Sequence, residues 1–259
     1  MTKSFSGDFD NLLTKLKNNE NFAFIRASDG EMFIMQNRKL ELSERGTFVD
    51  DVLCGPTYTK EDFKEFDPQK HSFLRQKLLD SYQHEQKNYF VGLSCACCVG
   101  ALSTRWMKSL RKEQDHLTWA NLFVNANYPR FVSEFVPVLE KKNIVLICNE
   151  NADLSRSKLN IVKDFRIGRN AMVNNFNLHE EIAKWIEDNK IENHVFCFSA
   201  SSLTNITVYE LFKKYPNNTY LDIGTTMNPV FGFPATRGYL QAYWTGKDHP
   251  DLHKVCIWI

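Results

Sequence analysis

A chain of 259 residues that is 43% apolar, 24% charged and 13% aromatic, with 20 Phe, has a globular composition and excludes a disordered, collagenous or low-complexity protein. Lys plus Arg number 32 against 31 Asp plus Glu, so the formal charge is +1 and no global field draws in nucleic acid or an anionic membrane. No apolar run approaches the roughly 20 residues of a transmembrane segment, and Met1–Asp10 lacks the apolar core of a signal peptide, so a cytoplasmic protein is expected.

In chain order, Asp8–Lys17 predicts a helix with Leu12, Leu13 and Leu16 on one face, broken at Asn18-Asn19. Short apolar runs at Phe22–Arg26, Tyr89–Leu93, Leu117–Val124, Ile144–Cys148, His194–Ser199 and Tyr220–Ile223 predict buried strands. Helical spacing falls between them in Val99–Arg111, Tyr128–Lys141, Leu178–Asn189 and Leu203–Lys213, as in Ile182, Trp185 and Ile186. This alternation predicts an α/β fold, a Rossmann-like and mostly parallel sheet with helices on both faces. Glu41–Gln69, with Gly46, Gly55, Pro56 and Pro68 among many charges, reads as an insertion over one face. With no repeat or Ser/Gly linker, a single domain over residues 1–259 is expected.

In open parallel sheets ligands bind beyond the carboxyl ends of the strands, which makes the residues after each strand the candidates. The first strand runs into Arg26-Ala-Ser28-Asp29-Gly30-Glu31, a cation and two carboxylates at a turn. Hard carboxylate oxygens beside a diphosphate suit Mg²⁺ or Mn²⁺, and an Arg fork suits the remaining phosphate charge. The same acids also fit the first turn of a helix, where they interact with its dipole, and Arg26 fits a plain ion pair with Asp29. After the fifth strand, Ser199–Asn205 offers small hydroxyl residues at a helix start, either a phosphate cradle involving Ser201, Ser202 and Thr204 or simple caps. The third strand leads to Asn125, Asn127 and Arg130 around a Tyr-Pro helix start. Asp222 is an acid inside an apolar strand, where a carboxylate is either paired or pushed toward a raised pKa.

Other chemistries find little support. Neither a G-x-G-x-x-G after the first strand nor a P-loop pattern is present, the histidines lack a nucleophile elbow, and basic residues form no nucleic-acid platform. Most of the seven Cys lie inside apolar runs, and a disulfide framework is not expected. Cys95-Ala96-Cys97-Cys98 has no matching second pair, and His84 and His116 are not at finger-like spacing, which argues against a structural zinc site.

Phe24–Glu31, with its Arg-x-x-Asp-Gly-Glu, resembles the corresponding segment of the GT-D glycosyltransferases, once grouped as a domain of unknown function and acting in bacterial glycoprotein and surface-polysaccharide assembly. Ser201–Tyr215 and Tyr220-Leu-Asp222-Ile-Gly224 are similar to the family's small-residue turn, helix and closing strand, so the resemblance runs from Phe22 to about Asn228. It implies a GT-D type fold and transfer of a sugar from a nucleotide-diphosphate donor, by analogy a UDP-sugar, to a glycan or glycoprotein hydroxyl. It also implies Asp29 and Glu31 as ligands of Mn²⁺ or Mg²⁺, with Arg26 on the diphosphate. The family's acids after Asp-Ile-Gly are replaced by Thr225-Thr226-Met227-Asn228-Pro229, which makes Asp222 the first candidate base, with Glu150, Asp153 and Asp248 as alternatives. Competing readings are a non-catalytic nucleotide- or phospho-ligand-binding module and a metal-dependent phosphoesterase. Glu41–Gln69 and the aromatic-rich Phe231–Trp244 are expected to shape the acceptor side.

Overall fold

The computed structural model describes residues 4–259. Its strands are β1 (Ala23–Ala27), β2 (Leu40–Ser43), β3 (Gly46–Val49), β4 (Val52–Gly55), β5 (Lys64–Phe66), β6 (Tyr89–Leu93), β7 (Leu117–Trp119), β8 (Ile144–Asn149), β9 (Ile161–Ile167), β10 (Val195–Phe198) and β11 (Thr219–Asp222). Seven of them form one sheet in the order β7-β6-β1-β11-β10-β8-β9, with every neighbouring pair parallel. The chain builds outward from β1 through β6 to β7, restarts at β8 and β9 on the far side, and returns through β10 to β11 beside β1. Such a reversal opens a crevice beyond the carboxyl ends of the central strands.

Both faces of this sheet are covered, which is why its strands read as nearly continuous apolar runs. Successive side chains alternate between faces. Phe22, Phe24, Ile144, Leu146, Val195 and Cys197 point to one core, with the helix Phe5–Lys17 and the aromatic cluster Phe123, Phe131 and Phe135. Ala23, Ile25, Val145, Ile147, Phe196 and Phe198 point to the other, under the helices Ser72–Gln83, Leu178–Asn189 and Ser202–Lys214. The first helix starts three residues before the expected Asp8, because the Ser4 hydroxyl accepts from the Gly7 amide at 3.2 Å and caps it. No helix among the described residues is long and apolar enough to cross a membrane.

All six expected strands form, with three differences. The third stops at Trp119, where Ala120–Val124 turns and Asn125 takes a positive φ of 55°. Strand β9 was not expected, since it is an edge strand whose Lys163, Asp164 and Arg166 interrupt the apolar pattern. Within Glu41–Gln69 lies most of a four-stranded antiparallel sheet, β4-β3-β2-β5, whose Leu40, Leu42, Val49 and Phe66 join the core under the Ser72–Gln83 helix. Its strands are three or four residues long, too short for alternation to stand out among the charges.

Gly92 on β6 is required by a close approach: a Cβ there would sit 2.9 Å from the Ala120 Cα and N and the Trp119 carbonyl oxygen. Backbone atoms cannot step aside, so Gly92→Ala is expected to destabilise the protein by about 1–3 kcal/mol in denaturant unfolding. An unchanged midpoint would refute the packing described.

Candidate active site

The carboxyl ends of β1 and β11 are tied by an ion pair. Arg26 Nη2 donates to Asp222 Oδ1 at 2.8 Å, and the same oxygen accepts from the Gly224 amide at 3.0 Å. The two side chains are 16% and 6% exposed. Asn205, from the helix Ser202–Lys214, donates to the Arg26 carbonyl at 2.9 Å and holds the end of the strand. Gly224 has φ +48°, and a Cβ on it would collide with the Arg26 guanidinium, so the Asp-Ile-Gly ending serves both as a left-handed turn and as the groove in which the arginine lies. Burial pushes the Asp222 carboxyl above its ordinary value, and the charge of Glu31 adds to this, while Arg26 and the Gly224 amide oppose it.

One turn on, Asp29 and Glu31 part company. The helix Asp29–Met35 begins at Ser28, whose amide donates to Glu31 Oε2 at 3.0 Å, as in the helix-start reading of the acids. Glu31 Oε1 accepts from Lys64 Nζ at 2.8 Å and from the Ser202 hydroxyl, and Lys64 Nζ also donates to Ser202 Oγ at 2.7 Å. Lys64 and Glu31 are each 7% exposed, and Lys64 comes from β5 of the small sheet. Gly30 is helical rather than a turn residue; a Cβ on it would stand 3.2 Å from the Lys64 ammonium, so its bareness makes room for that cation. Lys64 and the two hydrogen bonds to Ser202 and Ser28 hold the Glu31 carboxyl down at about 2, against the upward push of burial. Asp29, by contrast, is exposed and among the described residues accepts only from its neighbour, the Gly30 amide, at 3.0 Å.

These groups open into a cavity of about 420 Å³ at the switch point. Arg26, Ser28, Asp29, Asn125, Ser201 and Asp222 line it, so the structure brings together six of the residues singled out in the sequence. Glu31 also lines it, but with both oxygens engaged. Ser201 has a positive φ of 53°, uncommon for a side-chain-bearing residue, and turns the N-terminus of the Ser202–Lys214 helix toward the space. Ser202 and Thr204 are fully buried and absent from the lining; Ser202 serves the Glu31 and Lys64 cluster instead. Arg130 lies elsewhere, bonded to Glu134 at 2.6 and 2.8 Å and to Asp10 at 2.7 Å, with its guanidinium 4.7 Å from the Phe9 ring centroid. Glu150 is exposed just outside the lining, where its neighbour Asn149 takes the position. Asp153 closes a local turn onto the Ser155 amide at 3.0 Å, and the Asp248 side chain is 96% exposed.

Sequence reasoning singled out none of Lys64, Glu61, Asp62, Arg237, Tyr239 and Asp251, all in the lining, although the first five lie in the two segments, Glu41–Gln69 and Phe231–Trp244, expected to shape the acceptor side. Their common trait is arrival from the small sheet or the C-terminal segment, with no local motif to mark them. Arg237 stands 3.7 Å from Asp62 and over the Tyr58 ring, and Tyr239 shares a 3.0 Å hydrogen bond with Thr225. The lining carries three cations, Arg26, Lys64 and Arg237, against six carboxylates, Asp29, Glu31, Glu61, Asp62, Asp222 and Asp251. Of the Asp29 and Glu31 pair expected to ligate Mn²⁺ or Mg²⁺, Asp29 fits, since its carboxylate is exposed and among the described residues accepts only from the Gly30 amide. Glu31 does not fit as a second ligand in this arrangement, since an ion reaching it would have to displace Lys64.

No family model and no curated protein matches the chain. Among solved structures, the chain is similar to a selenomethionine-substituted structure of domain of unknown function 1792 (DUF1792), with a TM-score of 0.57 at 12% identity over 92% of this chain and 80% of that one. A second, described as showing that the highly conserved DUF1792 has a distinct glycosyltransferase fold, aligns with a TM-score of 0.52 at 13% identity over the same shares. The fold is thus an α/β glycosyltransferase fold of the DUF1792 kind, in agreement with the GT-D resemblance of the Asp-Gly-Glu and Asp-Ile-Gly segments.

The buried pair makes a stability prediction. With its folded pKa lowered from 4.5 to about 2, Glu31 contributes stability that is fully present above pH 4.5 and is lost as pH falls toward 2. Lys64→Met should cost about 3–5 kcal/mol at pH 7 by stranding the carboxylate, and adding Glu31→Gln should recover much of it. Denaturant titrations of parent, single and double variants between pH 7 and 3 check this; equal losses in the single and double variants would overturn it.

Proposed function

We propose that the protein is a glycosyltransferase that moves a sugar from a nucleotide-diphosphate donor, by the GT-D resemblance a UDP-sugar, to a hydroxyl of a glycan or glycoprotein acceptor. The observation that carries this reading is the Arg26–Asp222 pair spanning the switch point beside the free Asp29 carboxylate. Arg26 lines the cavity with its side chain 16% exposed, which leaves guanidinium surface for a leaving diphosphate. Ser28 and Ser201 line the same space and suit the phosphate oxygens. Asn125 lines the same cavity, where a nucleoside or sugar hydroxyl would meet it.

A divalent cation, Mn²⁺ or Mg²⁺, would be held by Asp29 together with the diphosphate oxygens, and would supply neutralisation of the charge that develops on the leaving group. Glu31 in this reading shapes the turn that presents Asp29, and Lys64 keeps Glu31 ionised and in place. Asp222 is the candidate to receive the acceptor proton: its raised pKa suits a base and its Oδ1 is anchored by Arg26 and Gly224. Glu150, outside the lining, is the weaker candidate. Tyr58, Phe233 and Tyr239 supply aromatic surface suited to stacking on sugar faces at the acceptor side.

The test is UDP-sugar binding by calorimetry and UDP release with glycan acceptors, each with and without Mn²⁺. Asp29→Asn and Arg26→Gln are expected to weaken donor binding about 10- to 100-fold, the scale of one lost charged hydrogen bond. Asp222→Asn is expected to abolish transfer while sparing donor binding. Binding without any transfer across acceptors would favour the non-catalytic nucleotide-binding reading, and tight binding unchanged by Mn²⁺ or by Asp29→Asn would overturn the metal assignment.

A further inference from the structure

The cysteine-rich turn after β6 gains a fourth sulfur from the far end of the chain. Cys95 precedes the short helical turn Ala96–Val99, which contains Cys97 and Cys98, and Cys256 follows the turn Pro250–His253. Their four Sγ atoms all lie within 4.8 Å of one another, with Cys95 to Cys97 at 2.8 Å and Cys95 to Cys98 at 3.3 Å. The expectation drawn from spacing, that no zinc site exists for want of a second pair, considered only neighbours in sequence; tertiary folding brings Cys256 across 161 residues to Cys95.

From this convergence we infer that Cys95, Cys97, Cys98 and Cys256 form a structural site for one thiophilic divalent ion, zinc by its chemistry. A Zn–S bond of about 2.3 Å in a tetrahedron sets sulfur–sulfur edges of about 3.8 Å, in the middle of the spacing here. A multinuclear iron–sulfur cluster holds its thiolates farther apart than this group allows. Four protein ligands leave no open position, so the ion would brace structure rather than activate water. Binding ionises four thiols and releases their protons, leaving a net charge of two negatives on the centre.

The surroundings answer that charge. Asn121 directs its amide at Cys98 at 3.2 Å and lies 3.9 Å from Cys256, and the Lys254 side chain lies beside Cys98. The tail is brought into register independently: the Ala126 amide donates to the Lys254 carbonyl at 3.2 Å, and Trp258 packs on Trp119 with centroids 5.1 Å apart. Cys98 and Asn121 also line the main cavity, so the ion would tie the C-terminal segment to one wall of the site above. This assignment does not depend on which reaction that site performs.

The full chain, purified under reductant and loaded with Zn²⁺, is expected to retain about one ion per chain by elemental analysis. Co²⁺ in its place should give the intense thiolate charge-transfer absorption of a tetrahedral sulfur site. Zinc should slow alkylation of these four cysteines by at least about tenfold, as mapped by mass spectrometry, while Cys54 stays reactive. Cys97→Ser and Cys256→Ser should each lose the ion, and Cys54→Ser should keep it. The alkylation pattern of the parent keeps the test decisive if a variant fails to fold. The inference is overturned if the reduced parent binds no zinc, if alkylation of the four thiols is indifferent to it, or if both cluster variants retain a full equivalent.

Discussion

Arg26 cannot shed its proton, so a fold that places it at the end of a buried central strand has to supply a fixed negative partner and room for the guanidinium. The answer comes from the neighbouring strand, some two hundred residues later, as Asp222 at 2.8 Å and a Gly224 with no side chain in the way. Because β1 and β11 are the first and last strands of the large sheet in chain order, this pair closes the sheet's topology as well as its electrostatics. The crevice exists because strand order reverses there, and its polarity exists because the pair stops short of full burial.

A second ion pair fastens the small sheet to the large one. Lys64 reaches from β5 to Glu31 at the start of the first crossover helix and to Ser202 at the start of another. Three elements that carry little information about one another are thereby set in one geometry, and Asp29 is left exposed at the cavity. A motif of two carboxylates thus divides its labour, one fixing the loop and the other facing the cavity. Carboxylates outnumber cations in the lining, six to three.

The C-terminal segment adds Arg237, Tyr239 and Asp251 to the lining. Trp258 sits edge-on against Trp119, Lys108 lies over the Trp258 ring at 4.1 Å, and Cys256 reaches the thiols of the turn after β6. The Gly238–Thr245 helix brings Tyr239 to Thr225, and Trp244 Nε1 donates to the Tyr128 hydroxyl at 2.8 Å, so the residues that follow the last strand of the sheet serve as a lid on its carboxyl edge.

Six of the seven strands of the large sheet and most of its helices were readable in the order of residues, because burial on both faces imposes uninterrupted apolar runs, which the edge strand β9 lacks. Arg26 and Asp222 at strand ends, and Asp29 and Ser201 in the turns after strands, all line the cavity. Arg130 and Glu150 were also singled out after strands and went elsewhere, since a side chain's direction depends on partners such as Glu134 that position in the chain does not rank. Lys64, Arg237 and Cys256 had no local sign at all. Charge pairing and metal-like clustering are properties of distance in space, and contacts between residues a hundred or more positions apart are decided only when the two sheets, the crossover helices and the tail are packed together.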